Sequence, residues 1–274
     1  MTLLRSNLTK SLNLPRIFHP AMVLLAGYGI CALILLSFTQ PIPQSQPYHD
    51  FADQRGLMGV PNFGDLASNG LILLGGLAGL AVMWRLGVRG RAKPGAGAEF
   101  QSGLHRRTWG LFFLSACVTA LGSSYYHWAP TEAALFWDRL PFSLLLSSFP
   151  ALLIAERREA GGWALPPLIT WILLGPFTVM VWGVSDDVRL YGLFQSYAYL
   201  GVLAIWLLLP SRYTAARYYA WAMALYAAAK VAELGDAAIY SWGGLLSGHT
   251  LKHAIAALAV TLMARMLATR RKRE

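Results

Sequence analysis

Thr108-Trp-Gly-Leu-Phe-Phe-Leu-Ser-Ala-Cys117-Val-Thr-Ala-Leu-Gly122-Ser123-Ser124-Tyr125-Tyr126-His127 decides the fold. It carries no charge along its length and is as long as the ~20 residues an α-helix needs to cross a bilayer. Comparable apolar runs recur at 21–38, 66–84, 138–155, 163–183, 190–209, 217–236 and 249–268. Eight such runs predict an all-α, polytopic transmembrane helix bundle. A transmembrane β-barrel would instead show ~10-residue segments of alternating hydrophobicity. Composition agrees: 56% of the residues are hydrophobic and 13% charged, where a soluble domain carries about 25% charged.

The charges outside the runs alternate. Arg85, Arg89, Arg91, Lys93, Arg106 and Arg107 lie between the second and third runs, and Arg157 and Arg158 between the fourth and fifth. Arg212 and Arg217 follow the sixth, and Arg270, Arg271, Lys272 and Arg273 follow the eighth. The other connections carry Asp50, Asp53, Asp65, Glu132, Asp186 and Asp187. By the positive-inside rule both termini are expected in the cytoplasm and the acidic loops outside. The net charge of +10 is therefore topology and lipid-headgroup signal rather than a nucleic-acid footprint. The first run reads as a retained helix, because it exceeds a signal h-region and no Ala-x-Ala site follows. Cys31 and Cys117 both read as buried structural thiols.

Polar groups gather at the outer ends of the runs. Ser123 and His127 close the third, Asp138 opens the fourth, and His249 and His253 open the eighth; Ser68 and Asn69 lie near the outer end of the second. Residues four apart share a helix face, so His249 and His253 can grip one ion together, with His127 as a third ligand from a facing helix. Three imidazoles leave one position for water, and ionisable groups at membrane depth mark functional sites. Ser124 is an alternative to Ser123, although the helical face favours Ser123. Lys252 reads as an interfacial cation pointing away from the His249/His253 face. For Glu233 and Asp236 two readings stay open: neutralisation of Lys230, or acceptance of a ligating histidine's second N–H. His49 and His105 read as structural.

Gly122-Ser123-x-Tyr-Tyr-His127, Asp138 eleven residues later and His249-x-x-x-His253 resemble the alkaline ceramidase family. That family belongs to a wider membrane hydrolase superfamily that includes adiponectin- and progestin-type receptors. Asp50-Phe-Ala-Asp53, followed by Pro61-Asn62-Phe-Gly-Asp-Leu-Ala-Ser68-Asn69, is similar to the family's entry into its first core helix. The resemblance spans about 48–268. It implies a seven-helix core over 48–268, an added N-terminal segment and helix over 1–47, and a basic tail at 269–274. It also implies zinc on His127, His249 and His253, with Ser123 and Asp138 flanking the water that the metal activates. Some members bind calcium just before the core: Asp50 and Asp53 match two such positions, Asn62 stands where a carboxylate would be, and Arg55 where a neutral ligand would be.

The implied activity is zinc-dependent hydrolysis of ceramide or a ceramide-like lipid amide, with Asp138 as proton shuttle and Ser123 as oxyanion donor, and with Tyr125 and Tyr126 as candidate headgroup contacts. The main rival is a lipid-sensing, receptor-like protein with a structural zinc. A haem carrier fits adjacent histidines poorly, because haem wants ligands on opposite faces of one ring. No helix is visibly broken at mid-membrane as in many transporters. Compact loops and the basic tail point to a bacterial inner membrane.

Overall fold

A computed structural model describes residues 18–92, 100, 102–157 and 165–273. The basic segments expected at 1–17, 93–99 and 158–164 lie outside the described residues. Among the described residues nine α-helices follow in order: α1 Phe18–Phe38, α2 Phe63–Ala92, α3 Gly103–Trp128, α4 Glu132–Arg157, α5 Leu165–Ser185, α6 Arg189–Leu208, α7 Arg217–Leu234, α8 Asp236–Ser241 and α9 Gly248–Thr269. Among the described residues there is no β-strand, only two isolated bridges. Eight of these helices fall on the eight apolar runs. The short α8 starts where the seventh run ends, at 236, and is an element the apolar pattern does not predict.

Five helices, spanning Phe63–Val88, Glu132–Arg157, Pro167–Ser185, Arg189–Leu208 and Gly248–Thr269, are long and apolar enough to cross a membrane. The protein is an integral membrane protein. Its outward faces suit lipid: Leu74 and Trp84 on α2, Leu121 on α3, and Leu173, Phe177 and Met180 on α5 are large, apolar and exposed. The interior holds Trp109, Phe113, Leu135, Leu152, Ile205 and Met263, all fully buried.

Helix pairs α3/α4, α2/α9, α2/α3, α7/α9 and α4/α5 make the main contacts. Glycines allow the closest approaches. A Cβ on Gly122 would collide with the Trp137 carbonyl oxygen, so glycine there lets the end of α3 meet the start of α4. At the opposite end Glu156 and Arg270 form an ion pair at 2.8 Å whose side chains are wholly buried, and Tyr219 donates to the same carboxylate at 2.7 Å.

Helix α1 packs chiefly on α6. Arg189 ties the two together, donating to the Thr39 carbonyl at 2.6 Å while pairing with Asp187 at 2.6 Å. With so few neighbours α1 leaves Cys31 exposed, contrary to expectation, whereas Cys117 is buried. The Arg189 hydrogen bonds hold the Asp187 carboxyl down to about 2. A lowered carboxyl favours the fold above its ordinary pKa of about 4 and loses that effect as pH falls through the folded value. Melting curves of the wild type and Asp187→Asn should therefore differ near neutral pH and converge as pH drops from about 4 to about 2. A gap that ignores pH would show that the pair does not stabilise the fold.

Candidate metal centre

The starts of α2, α4 and α9 and the end of α3 meet at one end of the bundle. His127, His249 and His253 are buried there, and one ring nitrogen from each lies within 4.8 Å of the others. Their ring centroids are 4.8–5.1 Å apart. Phe51 covers the cluster, 4.5 Å from the His127 ring and 5.2 Å from that of His249, and shields it from water.

Each imidazole is positioned differently. The Asn62 amide donates to the His127 carbonyl at 2.9 Å and so holds the last turn of α3. Asn62 itself sits at φ 46°, a left-handed conformation that asparagine tolerates better than most residues. His253 Nδ1 lies 3.1 Å from the Asp65 carbonyl oxygen and 2.9 Å from Ser68 Oγ. A carbonyl can only accept, so Nδ1 carries the proton and Nε2 keeps its lone pair for the cluster. The backbone N–H of His249 donates to Asp236 Oδ1 at 2.7 Å, and the other Asp236 oxygen accepts from Ala52 N at 3.0 Å. Asp65 buttresses the start of α9, accepting from Thr250 Oγ1 at 2.6 Å and Ser247 Oγ at 3.1 Å.

Both ring nitrogens of His127 are buried without a hydrogen-bond partner. Buried polar atoms are rarely left so, and a neutral imidazole with a free lone pair is a metal ligand in waiting. Three such rings fit a zinc-type ion. Replacing Ser68 by alanine removes one of the two partners of His253 Nδ1. If the cluster holds a metal ion, its affinity, read by competition with a chromophoric chelator, should fall about 10–100-fold; an unchanged affinity would show that Ser68 does not orient the ligand.

Ser123 is buried one turn below His127, and the half-buried Asp138 lies near it across the α3/α4 contact. Ser124 is less buried, and Tyr125 faces outward. Tyr126 is buried, with its hydroxyl 2.9 Å from His49 Nδ1, so it serves the core. His105 accepts from Trp109 Nε1 at 3.1 Å, a structural role.

Lys252 departs from expectation. Its ammonium is 2.8 Å from His249 Nε2 and 2.9 Å from Glu233 Oε1, because Glu233 on α7 draws it along the helix flank and into the site. A neutral imidazole has a single lone pair and Nε2 offers it to the ammonium, so metal binding at either nitrogen of His249 would require Lys252 to swing away or give up a proton. Glu233 is shared between Lys252 and Lys230, the latter at 2.7 Å. Neither Glu233 nor Asp236 accepts a hydrogen bond from an imidazole.

At the calcium positions, both Asp53 oxygens are held by Arg55 at 2.7 Å, which lowers its carboxyl pKa. Asp50 is exposed, and the Asn62 amide serves α3. The guanidinium already supplies the positive charge that a calcium ion would bring to Asp53.

Below the histidines a small apolar pocket of about 110 Å³ opens between α2, α3, α4, α6, α7 and α9. Phe112, Phe142, Leu146, Val202, Met223 and Met263 line it. Its upper wall includes Ile72, Thr119 and Ala256, each one helical turn from Ser68, Ser123 and His253 respectively.

Neither a scan against protein-family models nor a search of curated proteins gave a match.

Proposed function

We propose that the chain is a zinc-dependent intramembrane amidase acting on ceramide or a ceramide-like lipid amide. In this reading α2–α7 and α9 form a seven-helix catalytic core and α1 is an addition. The site lies near the outer face, and both termini are in the cytoplasm. The observation that carries the proposal is the juxtaposition of three buried imidazoles with Ser123 and Asp138, one turn above an apolar pocket between the helices.

Bound zinc supplies Lewis acidity and lowers the pKa of water toward about 7. The chain's own residues do the rest. The acyl chain lies in the pocket and sets the amide carbonyl beside Ser123. As a water oxygen bonds to the carbonyl carbon, Asp138 takes its proton. The carbonyl oxygen gains negative charge, and the Ser123 hydroxyl donates to it. When the C–N bond breaks, Asp138 returns the proton to the departing amine. A fatty acid and an amine leave.

The test is hydrolysis by protein purified in neutral detergent, followed as fatty acid released from a panel of neutral and anionic lipid amides. Zinc-loaded protein should turn over at least one, and 1,10-phenanthroline should abolish that turnover. No turnover across the panel would favour a receptor-like role for the same metal centre.

A further inference from the structure

Arg139 follows Asp138 on α4 and is only 7% exposed, yet its Nε and Nη1 meet no hydrogen-bond partner. Among the described residues no carboxylate pairs with it. Instead its guanidinium lies 4.3 Å from the Trp182 ring centroid, 5.1 Å from that of Tyr191 and 5.3 Å from that of Tyr48. The indole Nε1 of Trp182 is also buried without an acceptor. A cage of three rings steadies a cation through its π faces but accepts none of its N–H groups. Three buried donors therefore stand together without an acceptor, in a span where a single charged group is already costly.

The neighbouring charges do not supply that acceptor. Among the described residues no ion pair or hydrogen bond joins Arg139 to Asp138, Asp187 is taken by Arg189, and Glu233 is shared by two lysines. Trp182 ends α5, Tyr191 begins α6 and Tyr48 precedes α2, so the cage sits at the same end of the bundle as the histidines. Guanidinium N–H groups match the paired oxygens of a carboxylate or phosphate better than any other side-chain donor.

We propose that Arg139, with the Trp182 indole N–H, is a recognition site for an anionic oxygen group on the amine portion of the substrate. The preferred substrates are then lipid amides whose headgroup carries a carboxylate or phosphate, such as an N-acyl amino acid or the phosphate ester of an N-acyl amino alcohol. Naming the substrate as an amide rests on the proposed amidase activity; the anion site itself does not.

The deciding experiment is equilibrium binding to metal-stripped full-length protein in neutral detergent, so that no turnover is needed. The probes share one acyl chain: N-acylglycine, its neutral methyl ester, N-acylethanolamine and N-acylethanolamine phosphate. Wild type should bind one or both anionic probes at least about tenfold tighter than their neutral partners, and the member favoured identifies carboxylate or phosphate. Arg139→Gln should abolish the preference, Arg139→Lys should keep part of it, and Trp182→Phe, which keeps the ring and removes the N–H, should weaken it. Equal binding of charged and neutral probes by wild type overturns the proposal, as does a preference that survives Arg139→Gln. If Arg139→Gln does not fold, the wild-type preference and Trp182→Phe decide. An intact preference with no hydrolysis once zinc is restored would sink the amidase reading and leave the anion site standing.

Discussion

Purified in neutral detergent, His127→Ala is expected to hold essentially no zinc while wild type holds one ion per chain. The reason is geometric. His127 is the sole ligand that α3 offers, and both of its nitrogens are buried without another partner. Alanine leaves two ligands on one helix, His249 and His253, where a structural or catalytic zinc takes three or four from the protein. Apparent stoichiometry, measured by atomic emission after desalting, should fall below about 0.1. Amide hydrolysis should vanish with it. An ion retained in His127→Ala would place the centre elsewhere.

Asp138→Asn should separate chemistry from metal binding. Asparagine keeps the size and the polarity beside Ser123, so α3 and α4 should stay in register and zinc should remain near one per chain. It cannot take a proton from water, and kcat should fall by about 10²–10⁴ with little change in KM. Full activity in this variant would remove Asp138 from the proton path. A loss of zinc together with activity would make the residue part of the metal's support rather than its chemistry.

Much of this site could be read along the chain because helices convert spacing into position. A separation of four residues brings His249 to His253 and Ser123 to His127 on common faces, whatever the helices pack against. The partners of those residues were less legible. Asp65 lies three positions before Ser68 and shares its face, a signal that could have linked it to His253; its side chain instead reaches Thr250 and Ser247 on α9. Lys252 was misplaced because a long side chain bends along the helix flank to a charge on another element, here Glu233. Arg139 passed unnoticed because an arginine near a helix end normally reaches solvent, and only the packing of α5 and α6 over it puts it among Trp182 and Tyr191.

By itself the sequence determined the all-α membrane class, the places of eight helices and the polar positions that share a helix face. Apolar length and the 3.6-residue repeat are local properties, and they act before any helix meets another. Tertiary structure alone decided that α3, α4 and α9 bring their ends together, that α1 packs on α6 with Cys31 outside, and that Arg139 is buried without an acceptor. Those outcomes depend on how closely helices approach. Approach is set by contacts such as Gly122 against the Trp137 carbonyl, which join residues that no sequence interval relates.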